Sequence, residues 1–312
     1  MAISVHFAHI TDVHVSDRDQ SWSTVVSIAP DLLQETVTYL NQIDDLDFVF
    51  LTGDMLDTGT RTEAEKYNAI IATLQKPWHF IPGNHDGYID ANHPDALSPE
   101  DAVMLIDPRM GEERVPQAQR GYWSRFIKPG AQLIGLDSRL AEDWAGMIDA
   151  PQLVWLEQQL ELHRNDLVIL GVHHPLAALG PHNTRGRFPK FICENGGEVE
   201  ALLDRYPNVK LTVSGHHHAN HLSLTDTGRL RVCTTALSGY QCLYRTVRVS
   251  ETPEGWRVQI QSHAIGGPDI ARTAYQVALR DSMAREYDEV DPTAWVRFCA
   301  GDPEDLTLDA TL

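Results

Sequence analysis

Five short segments of this chain each close an apolar run with side chains able to bind metal. They read Asp12-Val13-His14, Gly53-Asp54-Met55-Leu56-Asp57, Gly83-Asn84-His85-Asp86, Val172-His173-His174-Pro175 and Gly215-His216-His217-His218. Imidazole and carboxylate donors of this kind suit Mn, Fe, Zn or Ni rather than a thiolate-seeking metal or an all-oxygen Ca²⁺ site. Seven candidate ligands are too many for one tetrahedral ion but match two ions sharing a bridging carboxylate. The chemistry expected is that of a dinuclear metallohydrolase.

Each segment offers a particular part. Asp12 and His14 follow the first strand-like run, where period-two alternation puts both side chains on one side. A carboxylate at Asp54 can bridge two ions, with Asp57 supporting from behind, since ligand carriers are usually propped by other polar groups. Asn84 offers one neutral oxygen. His85 beside it can face a reacting oxygen, with Asp86 available to hold its tautomer; the alternative is a plain Pro82-Gly83-Asn84 turn capped by Asp86. His173 and His174 end a buried run and need partners there. Alternation places His216 and His218 together, with His217 turned away.

These side chains need elements to carry them. Strand-length apolar runs occur at Phe48–Leu51, Trp78–Ile81, Gln132–Leu136, Leu167–Leu170 and Val209–Val213, and their continuous hydrophobicity suits strands buried on both faces. Helical patterns fall between them, at about Asp31–Ile43, Arg61–Leu74, the stretch after Pro151, and Glu198–Tyr206. This alternation predicts a layered α/β domain over residues 1–265. After His218 the segments Arg229–Thr235, Tyr244–Val249 and Trp256–Ser262 read as consecutive strands closing a second sheet. Residues 266–312 read as one helix, about Ile270–Arg285, and an acidic tail, an appendage for packing or oligomer contact. The stretch Tyr88–Arg120 reads as a long loop that walls a substrate site or is partly disordered.

Composition narrows the partners. The 312 residues are 42% hydrophobic and 22% charged, an ordinary globular balance, and the formal charge of −19 repels a polyphosphate backbone. A long nucleic acid is therefore not expected. Cys193, Cys233, Cys242 and Cys299 show no C-x-x-C spacing, which predicts isolated thiols in a reducing compartment. No run approaches the ~18 apolar residues of a membrane span, so the expected setting is cytoplasmic, without membrane attachment.

The order D-x-H, G-D-x-x-D, G-N-H-D, H-H-P, G-H-x-H resembles the calcineurin-like metallophosphoesterase superfamily. In flavour it is similar to the bacterial class III cyclic nucleotide phosphodiesterase and glycerophosphodiesterase group. The resemblance covers Ile3 to about Ala219 by motif, extends more weakly to Ser262, and does not reach the appendage. It implies a four-layer α-β-β-α sandwich with the metals at the carboxyl ends of the central strands. It further implies that one ion takes Asp12, His14 and His218, that the other takes Asn84, His173 and His216, and that Asp54 bridges them. His174 is then a supporting residue. No ligand position of the pattern is missing, which argues against a non-catalytic scaffold.

The expected reaction is hydrolysis of a small phosphodiester, a cyclic nucleotide or a glycerophosphodiester, by hydroxide generated between two ions of Mn, Fe or Zn. His85 is the expected proton donor to the leaving oxygen. The alternative is a phosphomonoesterase acting on a nucleotide or phosphoprotein. A monoester dianion asks for extra cations, and Arg18, Arg185 and Arg187 either serve that purpose or are solvated loop residues. His182 and Asn183, soon after His174, are placed as substrate-pocket residues by position alone.

Overall fold

The computed structural model describes residues 2–19, 21, 23–87, 92–110, 121–140 and 143–312. Two six-stranded sheets pack face to face. The first runs in the order β12-β11-β10-β1-β2-β3, the second β4-β5-β6-β7-β9-β8. Their strands are β1 (Ser4–Ile10), β2 (Phe48–Leu51), β3 (Trp78–Phe80), β4 (Trp123–Lys128), β5 (Ala131–Gly135), β6 (Leu167–Gly171), β7 (Val209–Ser214), β8 (His221–Leu224), β9 (Leu230–Cys233), β10 (Leu243–Thr252), β11 (Gly255–Ala264) and β12 (Thr307–Thr311). β1, β2 and β3 are parallel, as are β5, β6 and β7.

Helices cover both outer faces. On the first sheet lie α1 (Ala29–Asn41), α2 (Arg61–Ile71) and α3 (Pro99–Ile106), whose Leu33, Val37, Ala64, Tyr67 and Val103 join the strand residues in one cluster. On the second lie α4 (Ala150–Leu162) and α5 (Gly196–Leu203). The alternation of β6 shows why such strands read as unbroken apolar runs. Ile169 packs between the sheets, whereas Val168 and Leu170 pack outward with Leu156, Leu160 and Val199. Local signals start the helices where expected: Thr60 and Glu63 form a reciprocal cap on α2, and Asp149 accepts from the Gln152 N–H of α4. Between the sheets, Phe7 stacks on Phe48 with centroids 5.1 Å apart, and the Trp123 indole N–H donates to the Phe80 carbonyl at 2.9 Å.

The chain after His218 differs from the expectation of one closing sheet. β9 pairs parallel with β7 in the second sheet, while β10 and β11 join the first sheet antiparallel beside β1. The crossing lets both sheets gain strands from one segment. Within Tyr88–Arg120, positions 88–91 and 111–120 lie outside the described residues, and the rest holds α3, capped by Ser98 ahead of Pro99. The C-terminal stretch holds more structure than one helix: α6 (Gly267–Arg280), α7 (Ser282–Tyr287), α8 (Thr293–Ala300), α9 (Pro303–Leu306), and then β12, which pairs with β11. The four cysteines are buried and unbridged. No helix among the described residues is long and apolar enough to cross a membrane.

Candidate metal centre

All five motifs leave the carboxyl ends of parallel strands: β1, β2 and β3 in one sheet, β6 and β7 in the other. Their loops are laced together. The Asp12 and His14 N–H groups donate to the Gly53 and Asp54 carbonyls at 2.9 and 3.0 Å, and the His216 N–H donates to Asp12 Oδ2 at 2.9 Å. Among the described residues, five of the six non-glycine positions with positive φ are Asp12, His14, Asp54, His216 and His218, at 52–60°. Left-handed backbone costs an L residue roughly 1–2 kcal/mol, and it persists only where the surroundings enforce it. Strand alternation therefore does not pair Asp12 with His14, since both lie beyond Ile10; a left-handed turn at each residue aims them instead.

The aimed side chains form two groups. In one, His218 Nε2 lies 3.2 Å from Asp12 Oδ1 and 3.2 Å from His14 Nε2. In the other, His173 Nε2 lies 3.2 Å from both Asp54 Oδ2 and Asn84 Oδ1, with His216 beside them. Asp54 stands between the two groups. Its Oδ1 accepts the His85 N–H at 2.8 Å, while its Oδ2 faces His173 on one side and His14, at 3.9 Å, on the other.

Such donor sets can hold cations. The His173 Nδ1–H donates to the Thr52 carbonyl at 2.7 Å, so the ring donates to Asp54 and Asn84 from Nε2 when protonated and offers a lone pair to a cation between them when neutral. The His14 and His218 Nε2 atoms form a hydrogen bond when one carries a proton, and both are open to a cation when neither does. Separations of 3.2–3.9 Å are of the size that a shell with metal–ligand bonds of about 2.1 Å would have between its donors. The two groups are strongly coupled. Burial works against charge on His173, yet the Asp54 carboxylate outweighs it and pushes the ring up to about 9. Burial likewise opposes charge on Asp54, but His173 and His85 hold its carboxyl well below the usual range. The donor set fits a pair of hard-to-borderline cations.

Other groups hold the donors in place. The His216 Nε2–H faces the Lys190 carbonyl at 3.2 Å, which leaves Nδ1 as its lone-pair atom. His174 donates from Nε2 to the Trp144 carbonyl at 3.0 Å and accepts the Ser138 hydroxyl at 2.7 Å, and its ring lies 4.0 Å from that of His216. The Thr11 hydroxyl donates to Asp12 Oδ2 at 2.6 Å. Asp57 accepts the Ser16 and Ser21 hydroxyls and lies 3.7 Å from His14 Nδ1. Thr11 and Thr52 adjoin the motifs and were open to inference from the sequence. Ser138, Trp144 and Lys190 lie far from them and carry no such signal.

Three expectations change. Asp86 does not hold the His85 ring. Its carboxylate accepts the N–H groups of Asp54, Met55, Leu56 and Gly83 at 2.8–3.1 Å, fixing the loop that presents Asp54. The His85 ring is oriented by the Asp57 carbonyl, 2.5 Å from its Nδ1. Its Nε2 is left for chemistry, and although burial opposes its charge, Asp54 and the Asp57 carbonyl raise its pKa. Second, His182 and Asn183 are buried rather than pocket-lining. Asn183 Oδ1 accepts the Leu179 N–H, its Nδ2 donates to the Phe188 carbonyl, and His182 Nε2 lies 3.1 Å from His217 Nε2. Third, Arg185 and Arg187 are engaged by the C-terminal stretch, donating to the Tyr287 carbonyl and to Glu286. Arg18 is exposed.

Close approach explains two motif glycines. A Cβ on Gly83 would overlap Asp54 Oδ1 and lie 2.5 Å from the Asp54 nitrogen; one on Gly215 would overlap Thr11 Oγ1 and Asp12 Oδ2. Gly83→Ala is therefore expected to lower metal content and kcat/KM together, by roughly 10²-fold or more, while secondary structure by circular dichroism persists. Unchanged metal content in this variant would refute the crowding.

The calcineurin-like phosphoesterase family model matches residues 5–220. A 3',5'-cyclic-nucleotide phosphodiesterase of Nostoc sp., alr5338, is 27% identical over 287 residues, spanning 91% of this chain and 98% of that protein. The glycerophosphodiester phosphodiesterase GpdQ of Enterobacter lignolyticus is 26% identical over 238 residues, spanning 76% and 78%. The crystal structure of a dimetal phosphatase from Danio rerio superposes with a TM-score of 0.68 at 14% identity, covering 83% of this chain and 96% of that one, a likeness of fold.

Proposed function

The chain belongs to the calcineurin-like phosphoesterase family, and we propose that it hydrolyses small phosphodiesters, cyclic nucleotides or glycerophosphodiesters, with a pair of Mn, Fe or Zn ions. The observation that carries this reading is the placement of Asp54 Oδ2 between the two donor groups, facing His173 and His14. Asp12, His14 and His218 would hold one ion, and Asn84, His173 and His216 the other, with Asp54 common to both. Ions so held supply Lewis acidity to the phosphoryl oxygens and lower the pKa of a water.

The rest is done by the chain. The His85 main-chain N–H pins Asp54 Oδ1, which would leave Oδ2 as the oxygen to be shared. The same residue's ring, its Nδ1–H on the Asp57 carbonyl, has Nε2 to deliver a proton to the leaving alkoxide. A diester leaving group needs that proton, because an alkoxide leaves poorly unprotonated. The engagement of Arg185 and Arg187 elsewhere supports a diester over a monoester, whose dianion asks for additional cations. The names of the cyanobacterial and enterobacterial relatives support the same substrate class.

The test is a Mn²⁺-supplemented panel of cyclic nucleotides, glycerophosphodiesters and monoesters compared by kcat/KM. The expected order puts at least one natural diester, and bis-(para-nitrophenyl) phosphate, above para-nitrophenyl phosphate and the nucleoside monophosphates. A monoester leading the panel would replace this reading with a phosphatase.

A further inference from the structure

His217 sits between the two histidines assigned to different ions, and its surroundings come from the far end of the chain. His216 and His218 both have left-handed backbone, with φ of 60° and 53°. Two strained residues so close together hold their shape only if something clamps the loop. The His217 ring, fully buried, points away from the metal side. Its Nε2 accepts the Asn183 Nδ2–H at 3.2 Å and lies 3.1 Å from His182 Nε2. Its ring centroid is 5.7 Å from that of Trp295 and 5.6 Å from that of Phe298, both on α8.

Other contacts of the C-terminal stretch converge on the same loop. The Asn220 N–H donates to the Cys299 carbonyl at 2.9 Å, and Ala219 shares an apolar cluster with Trp295 and Cys299. Arg187 and Glu286 also tie the 179–191 segment to α7. His182 packs on Phe298 with centroids 4.4 Å apart, so the histidine behind His217 is braced by the same helix.

We propose that the C-terminal segment 282–301 is a positioning element of the metal centre, clamping His217 through Trp295 and Phe298 so that His216 and His218 are presented to both ions at once. This inference rests on the reading of the donor groups as a two-ion site. It makes a prediction that loss of an unshared ligand does not: loosening the clamp weakens both ions together, because the two histidines flank one held ring.

The experiment is Mn²⁺ titration of chelator-stripped protein against a chromophoric competitor, for the parent chain, Trp295→Ala, Phe298→Leu and Trp295→Phe. Trp295→Ala is expected to lose roughly 10–100-fold in affinity at both sites. Phe298→Leu, which thins the contact without emptying it, should lose less, and Trp295→Phe should recover most of the parent affinity. Val290→Ser, at an exposed position of the same stretch, should bind like the parent. Folded Trp295→Ala or Phe298→Leu protein with parental affinities, or a loss confined to one site, would overturn the clamp. A parent chain that fails to bind two Mn²⁺ would instead sink the two-ion reading itself.

Discussion

Asp54→Asn is expected to lower kcat/KM by more than about 10³-fold and to strip at least one ion per chain, without unfolding the protein. Asparagine matches aspartate in shape and tolerates left-handed backbone better than most residues, so the φ of 57° at this position remains accessible. What changes is the charge. The carboxylate whose Oδ2 lies 3.2 Å from His173 Nε2 and 3.9 Å from His14 Nε2 becomes a neutral amide, and neither donor group then has its shared anion. Loss of a supporting partner typically costs 10–100-fold in metal affinity or activity, and loss of the common ligand must exceed that. Metal analysis beside steady-state kinetics reads the result. Parental metal content with reduced activity would move Asp54 from ligand to some other role.

His85→Gln should behave differently. Its side chain meets the Asp57 carbonyl, and its main-chain N–H to Asp54 is kept in this variant. The variant is expected to keep both ions and to lose about 10²–10⁴-fold in kcat on a natural diester, the usual size of a general-acid contribution. The loss should shrink on bis-(para-nitrophenyl) phosphate, whose leaving group departs without a proton. The sign with pH follows from the role: an acid must be protonated, so the parent kcat falls as pH rises through the pKa of His85, and the variant lacks that basic limb. Equal losses on both substrates, or loss of metal, would remove His85 from proton delivery.

Much of this site is legible in the chain itself because metal chemistry restricts residue types. Asp, Asn and His at the ends of apolar runs are uncommon enough that their order carries the assignment, and the buried runs Phe48–Leu51 and Leu167–Leu170 became strands as read. What stayed hidden is direction. The Gly83–Asp86 turn curls Asp86 inward onto the amides of Asp54, Met55 and Leu56, and nothing local tells whether a carboxylate after a histidine faces the ring or the backbone. The left-handed residues at Asp12 and His14 reach by strain the convergence that alternation suggested by symmetry. His182 and Asn183 follow a motif but turn into the fold, because their partners on His217 and the C-terminal helices are distant in sequence.

Elements were missed where pattern was weak. β4 and β12 are edge strands: β12 exposes Thr307, Asp309 and Thr311, and β4 interleaves Ser124, Arg125 and Lys128 with apolar residues, so neither has the continuous hydrophobicity of the central strands. The tail that reads as acidic contains Trp295, Phe298 and Cys299, whose burial depends on a histidine-bearing loop some eighty residues earlier.

Stepwise reconstitution tests the centre most directly. Protein stripped by chelation is titrated with Mn²⁺ while bound metal and diester hydrolysis are followed on the same samples. Binding should saturate at two ions per chain, with hydrolysis rising as the second site fills. Full hydrolysis in stripped protein, or with a single equivalent bound, would contradict a reaction that needs both sides of Asp54.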